Sequence, residues 1–185
     1  TQDGFIRAIR FWKQPGNTGT HTGTIWTDNG TRLADVTFTN ESASGWQTAT
    51  FTTPIPVSAN TTYVASYFCP SGRYSVEKWY FDSTAGTGTY NANPPLSAPA
   101  SGRFGPNGLY QYSSNTAFPA QSYQATNYWV DVEFQANNVG AQEPLSPLSL
   151  GVIPFSEPDL VAPFRGAEDW HNSNASQRIS HPTEA

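Results

Sequence analysis

Apolar and polar residues alternate along several short segments of this chain, which is the pattern of half-buried β-strands. Ile9 and Phe11 alternate with Arg10 and Trp12, which are predicted to face outward. The same two-residue period is most regular over residues 128–134. Nowhere in residues 1–136 do apolar residues recur at helical spacing over the ~11 residues that a helix requires. The pattern predicts an all-β fold whose core includes Ile9, Phe11, Phe38, Val130, Val132 and Phe134.

Turn-forming residues separate these segments. Asp28-Asn29-Gly30 lies between the β-prone runs 24–27 and 33–38, and an Asn-Gly pair supplies the positive φ angles of a hairpin. In the second run Ala34, Val36 and Phe38 share one face, with Asp35 and Thr37 outside. Further strands are predicted at 46–51 and 61–68, separated by Pro54 and Pro56, which cannot donate to a β-ladder. Residues 1–136 are therefore predicted to form an antiparallel β-sandwich, of jelly-roll or immunoglobulin-like type.

Residues 69–127 differ from this meander. Strand-like pieces at 74–76 and 108–112 are embedded among prolines and glycines, so a long, loop-rich excursion is predicted. The excursion carries ten aromatic residues. So many rings favour order over disorder, because they must be packed away from water.

After Phe134 the composition changes. Six prolines recur along residues 137–185, and their spacing argues against a long helix or an uninterrupted central strand. Apolar side chains nevertheless recur there, and this indicates an extended C-terminal arm that docks on another surface, with a neighbouring subunit as the expected partner. Prolines restrict strand addition by this arm to residues 148–153. The predicted docking residues are Leu148, Leu150, Val152, Phe155, Leu160 and Phe164.

The composition narrows the function classes. The nine Lys and Arg residues are scattered and the net charge is −5, which argues against a nucleic-acid partner. Apolar runs are far shorter than the ~20 residues of a membrane span. Cys69 is the single cysteine and the polar surface must come largely from 39 Ser and Thr residues, which favours an exported protein without disulfides. An extracellular or cell-surface location is expected, with a virion surface as an alternative.

A series of motifs resembles a bacterial exported module. The segments are Ile9–Lys13, Asn17–Trp26, Gly45–Gln47, Thr62–Tyr67, Gly72–Ser75 and Asn127–Asp131. Together, in this order, they resemble the family catalogued as domain of unknown function 4082, over residues ~5–135. The resemblance implies an accessory binding or adhesive role in secreted, multidomain proteins and supplies no catalytic residues. The chain departs from the family in a missing or reduced strand before Ile6, in Phe68 where a histidine is frequent, and in its proline-paced tail.

The excursion offers the chemistry of a saccharide site, namely flat rings with amides and charged groups nearby. A polysaccharide or surface glycan is the expected ligand. The alternative is that these rings only close a satellite core beneath a long loop. The candidate ligand-binding residues are Arg73, Tyr74, Trp79, Tyr80, Arg103, Asn107, Tyr110 and Tyr112.

Catalysis and metal binding find little support. Ser75 and Lys78 match Ser-x-x-Lys, but the partner motifs of penicillin-recognising enzymes are missing. A glycosidase needs two neighbouring carboxylates, and the sequence offers Glu77 with Asp82 or Asp131 with Glu133. Asp131 and Glu133 are expected to be ordinary solvated carboxylates on the outward face of one strand. No cofactor is expected. Calcium could bind Asp28 and Asn29, although a plain turn explains them.

Two function classes remain open. One is a non-catalytic binding or adhesion module that recognises carbohydrate through the aromatic loop surface. The other is a structural subunit of an extracellular assembly, such as a surface fibre or virion decoration, held to neighbouring copies by the arm. The rings of the excursion favour the first class, and the apolar arm favours the second.

Overall fold

The computed structural model describes residues 2–82, 91–102, 105–137 and 173–180. These residues form β-strands and no helix. The strands are β1 (Gly4–Lys13), β2 (Thr22–Thr27), β3 (Arg32–Thr37), β4 (Gly45–Val57), β5 (Thr62–Cys69), β6 (Asn91–Asn93), β7 (Leu96–Ala98), β8 (Leu109–Tyr112), β9 (Gln121–Ser122), β10 (Val130–Ala136) and β11 (Ser173–Ser180). In this part of the chain no helix is long and apolar enough to cross a membrane.

The strands form two antiparallel sheets. The small sheet has the order β10-β1-β4. The large sheet has the order β3-β2-β5-β11-β7-β6, and β8 adds to β11 and β9. The protein is therefore an all-β sandwich, which confirms the fold class expected from the alternation.

The core lies between the two sheets. Phe11 of the small sheet stacks on Tyr67 of the large sheet, with ring centroids 4.4 Å apart, and meets Phe38 edge-on at 4.8 Å. All six predicted core residues, namely Ile9, Phe11, Phe38, Val130, Val132 and Phe134, are buried in this one cluster. Burial of each large apolar side chain stabilises the fold by about 1.5–3 kcal/mol.

The predicted hairpin is confirmed between β2 and β3. Thr27 N–H donates to the Thr31 carbonyl, and Gly30 takes the positive φ of 90° that closes the turn. The side chains of Ala34 and Val36 are half-buried, Phe38 is buried, and Asp35 and Thr37 are exposed. The alternation therefore predicted the inward face of β3 correctly.

The sequence predicted that a strand ends before Pro54 and Pro56, and this prediction was wrong. β4 runs through both prolines from Gly45 to Val57. It can do so because β4 is an edge strand, with a hydrogen-bonded neighbour on one side only. The register against β1 also shifts between Ile6 and Ala8, and this irregularity accommodates the segment around Pro54.

Asp131 is buried, so its assignment as a solvated carboxylate was wrong. Its side chain faces away from the core, as predicted, but it is paired with Arg10 of β1 at 2.9 Å and retains only 12% exposure. The neighbouring Glu133 is half-buried. Alternation gives the direction of a side chain and does not show what covers it.

The excursion contains the short strands β6 to β9, and residues 74–76 lie outside any strand. β11, from the C-terminal part of the chain, pairs with β5 along all eight residues from Thr62 to Cys69. The docking residues Leu148, Leu150, Val152, Phe155, Leu160 and Phe164 lie outside the described residues. Docking by the arm on a neighbouring subunit stays a prediction.

Candidate functional site

The residues predicted to bind a ligand separate into two groups of rings. Three of them join Tyr128 in the first, which we term the tyrosine group (Tyr74, Tyr110, Tyr112 and Tyr128). Tyr74 and Tyr110 lie 5.6 and 6.5 Å from Tyr128, and Tyr110 lies 5.3 Å from Tyr112. Tyr74 and Tyr110 pack against the main core, and burial raises the pKa of Tyr128 well above its ordinary value. Most of this group closes the sandwich, and only Tyr112 of the four is exposed.

Trp79 and Tyr80 belong to the second group. Tyr80 meets Trp129 with ring centroids 5.7 Å apart, and the Trp79 side chain is 49% exposed. Trp79, Gln124, Ala125 and Trp129 all have positive φ angles, between 45° and 66°. Such a conformation is unfavourable for residues other than glycine, and clusters of it occur at binding and catalytic sites.

The paired backbone of the two segments holds these residues in place. Trp79 N–H donates to the Gln124 carbonyl at 2.8 Å, and Phe81 N–H donates to the Ala125 carbonyl at 2.9 Å. Phe81 is fully buried and anchors the segment. The exposed indole of Trp79 is therefore presented from a fixed backbone, which reduces the entropy lost when a ligand binds.

The remaining candidates are structural or outside the described residues. Asn107 is fully buried, donates from Nδ2 to the Pro99 carbonyl at 2.7 Å, and accepts from Gly108 N–H at 2.7 Å. It therefore fixes its own loop. Arg73 is exposed, next to the loop that contains Gly16. Arg103 lies outside the described residues.

Two further tryptophans lie on the outer face of the small sheet. Trp12 of β1 and Trp46 of β4 are cross-strand partners, and their rings meet edge to face at 5.7 Å. Trp12 N–H also donates to the Trp129 carbonyl at 2.9 Å, so Trp129 lies directly beside Trp12 across the sheet. Each of the three indoles is partly exposed. We term Trp12, Trp46, Trp129 and Tyr80 the tryptophan surface.

An ion pair borders this surface. The Arg10 guanidinium lies 4.7 Å from the centroid of Trp46 and bonds Asp131 Oδ2 through Nη2 at 2.9 Å. Burial raises the pKa of Asp131, and the charge of Arg10 opposes this shift. The guanidinium is held in place by both a carboxylate and a ring face, so its position is fixed relative to the indoles.

The alternation in the sequence contained a signal for this surface, but the aromatic binding site was predicted in the excursion alone. Because Ile9 and Phe11 face the core, Trp12 must face outward, where a polar residue is ordinary. Trp46 was expected in a strand and Trp129 at an outward position, so all three indoles could have been assigned to solvent-facing registers. Their convergence could not be predicted, because it depends on how β1, β4 and β10 are ordered in the sheet.

The geometry of the described residues does not support the catalytic and calcium-binding alternatives. Ser75 is fully buried and donates to the Trp12 carbonyl at 3.2 Å, which is a structural role. Glu77 pairs through its backbone with Asn127, and partial desolvation raises the pKa of its carboxyl. In the turn that could hold calcium, Asn29 Oδ1 accepts from the hydroxyls of Thr27 and Thr31. This oxygen is therefore used within the turn itself.

Comparison with known proteins identifies the family. A family model described as a domain of unknown function, DUF4082, matches residues 1–130. The chain belongs to the DUF4082 family. No curated protein and no solved structure matches it. The match covers β1 to β5, the excursion and the first residue of β10, so the tryptophan surface lies within the DUF4082 module and β11 lies beyond it.

Proposed function

We propose that this DUF4082 module is a non-catalytic, extracellular carbohydrate-binding module, and that its ligand contacts the tryptophan surface. The observation that carries the proposal is the pair of partly exposed indoles at Trp12 and Trp46 on the outer face of the small sheet, with the partly exposed Trp129 bonded through its backbone to Trp12. Indole faces stack on the C–H faces of sugar rings, and fixed polar groups beside them bond hydroxyls. Arg10 supplies such a group next to Trp46, and the buried Asp131 holds it in position.

The shape of the surface favours one kind of saccharide. Trp12 and Trp46 are nearly perpendicular, with an interplanar angle of 86°, so the two rings form a corner and not a flat platform. A flat, crystalline polysaccharide needs coplanar rings, whereas a corner can contact one sugar unit of a single chain on two sides. We therefore propose a soluble, single-chain glycan as the ligand class.

The binding test compares the two ring groups in the full chain. Retention of the protein in native gels containing soluble β-glucan, mannan, xylan or pectin identifies a ligand, and titration calorimetry measures its affinity. Trp46→Ala is expected to weaken binding ten- to hundredfold, because stacking and burial of one ring contribute about 1–3 kcal/mol. Trp79→Ala is also expected to weaken binding, because it removes the exposed indole next to Tyr80.

Tyr112→Ala is the matched control, since Tyr112 is an exposed ring in the tyrosine group. It is expected to leave the affinity unchanged. If Tyr112→Ala abolishes binding while Trp46→Ala does not, the tyrosine group is the site and the tryptophan surface is structural. Failure of the unsubstituted protein to bind any of these glycans counts against the proposed ligand class.

A structural role in an extracellular assembly is the second candidate. The observation that favours it is β11, which lies beyond the family match and completes the large sheet along the whole of β5. A sheet that takes up a strand in this way can also join chains. Light scattering after size-exclusion chromatography separates the candidates, because an assembly subunit forms oligomers without glycan and a binding module stays monomeric.

A further inference from the structure

A buried polar network joins three loops at one end of the sandwich. We term it the His21 network. It contains one residue from the end of β1, two from the loop before β2, one from the connection between β3 and β4, the last residue of β5 and one residue from the turn that follows it. Its members are Lys13, Asn17, His21, Glu41, Cys69 and Ser71.

His21 is at the centre of this network and is fully buried. Its Nδ1 lies 2.9 Å from Glu41 Oε1, and its Nε2 lies 2.9 Å from Asn17 Oδ1. The ring also packs against Phe11, with centroids 4.9 Å apart. Both ring nitrogens are therefore engaged away from bulk water.

The partners fix where protons must be. Glu41 accepts from Lys13 Nζ through Oε2 at 2.7 Å, and its Oε1 faces Nδ1 of His21, where a hydrogen on Nδ1 is donated to it. Asn17 Oδ1 also accepts from Ser71 Oγ at 2.8 Å and from Cys69 Sγ at 3.1 Å. If Nε2 also donates to this oxygen, the ring carries two hydrogens and a positive charge.

The neutral ring needs a different arrangement of Asn17. Its Nε2 then carries a lone pair and must accept, so Asn17 has to turn its Nδ2 toward the ring. The second Nδ2 hydrogen can then reach Ser71 Oγ, and the Cys69 thiol keeps its bond to the Arg73 carbonyl at 3.3 Å. In the structure Nδ2 is buried without a partner among the described residues, so the amide has an unused donor for this rotation.

We propose that His21 is a proton-operated switch, in which protonation of Nε2 rotates the Asn17 carboxamide and changes the hydrogen bonds that hold the three loops together. The ionisable groups facing it are Lys13 and Glu41 on one side and, across Asn17, the Cys69 thiol at the end of β5. Burial disfavours the charged state of the ring, and Lys13, which already donates to Glu41, adds to this effect as a second positive charge nearby.

The direction of the pH effect follows from the burial of the ring. Desolvation lowers the pKa of His21 below its ordinary value of 6.5, and the bond to Glu41 offsets part of this shift. The unfolded chain therefore takes up a proton at a higher pH than the folded protein. Stability attributable to His21 is present above pH 6.5 and is lost as the pH falls through the interval between the two pKa values.

The test is urea denaturation of the full chain between about pH 7.5 and 5. As the pH falls through the interval between the two pKa values, the equilibrium constant for unfolding is expected to rise by up to about tenfold per pH unit. This is the limit for one additional proton bound by the unfolded state. His21→Gln should reduce this slope. Lys13→Met should move the lower end of this interval to higher pH, since removal of the competing cation raises the pKa of His21 in the folded protein.

Proton NMR of the unsubstituted protein provides a second readout that does not depend on whether His21→Gln folds. The His21 ring is expected to titrate below pH 6.5, and the Asn17 amide protons should shift with the same midpoint. A His21 pKa at or above 6.5, or an Asn17 amide that does not follow it, overturns the switch. So does a His21→Gln variant that folds and keeps the full slope.

Discussion

Gly108 lies where the backbone leaves no room for a side chain. Its φ is +73°, and a Cβ atom there would clash with the carbonyl oxygen of Thr126, at a separation of 1.9 Å. Gly108→Ala is expected to lower the free energy of unfolding by more than about 2 kcal/mol, because the left-handed conformation alone costs alanine about 1–2 kcal/mol and the clash adds to it. Urea denaturation measures the change.

Gly45 provides a matched control for this prediction. Its φ is also positive, at +94°, but a Cβ atom there would meet nothing within 4 Å. Gly45→Ala should therefore show the conformational cost without the clash. Equal losses for the two variants would mean that the segment around Thr126 moves aside freely, and the close approach to Gly108 would not contribute to the free energy of unfolding.

Individual residues show where sequence reasoning ends. Asn107 and Asp131 are polar, and composition alone favours solvent for both. The structure buries each of them, Asn107 on backbone groups of its own loop and Asp131 against Arg10. Their partners lie 8 and 121 positions away in the chain. A two-residue period contains no information about such partners.

At the scale of the element, β10 is the strongest test of the core. Val132 is 3% exposed and lies in the main cluster, whereas its neighbour Glu133 is half-buried. Val132→Asp is expected to cost several kcal/mol, a large part of the ~5–15 kcal/mol stability of a domain, because an unpaired carboxylate would be buried. The melting temperature should fall strongly, while Glu133→Gln should leave it nearly unchanged. An unaltered melting temperature for Val132→Asp would contradict the core assignment.

Elements with a clear inward face were the predictable ones. β1, β3 and β10 alternate in sequence. The inward residues Phe11 and Val132 are buried as expected, and so is Phe38, directly after β3. The full length of β4 was not predictable, because an edge position makes prolines tolerable and edge position is a property of the assembled sheet. β11 was missed for a similar reason. Its polar sequence gives no alternation, and its place depends on the unpaired side of β5.

At the scale of the whole molecule, the tryptophan surface depends on the order of strands. Trp12, Trp46 and Trp129 come from three segments that are far apart in the chain and become neighbours only because β1 pairs with both β4 and β10. The sequence suggested an aromatic binding face and located it in the excursion. The structure shows a second set of rings on the small sheet, with Tyr80 as the link between the two regions.

The contribution of β11 can be tested by removing the C-terminal part of the chain. β11 pairs with β5 from Thr62 to Cys69 and also contacts β7 and β8. Truncation after Asn138 removes this strand, so the hydrogen-bonding groups on one side of β5 lose their partners and the two halves of the large sheet lose their connection. The melting temperature is therefore expected to fall.

The truncated protein should also associate at high concentration, because an open edge over a buried core is a template for strand pairing between chains. Truncation after Ser180 retains β11 and is the matched control. Size-exclusion chromatography with light scattering and thermal denaturation provide the two readouts. If the protein ending at Asn138 melts like the one ending at Ser180, β11 contributes nothing to the sandwich. If, instead, the full chain forms oligomers and only the truncation to Asn138 makes it monomeric, the C-terminal region joins neighbouring subunits, as the apolar arm predicts.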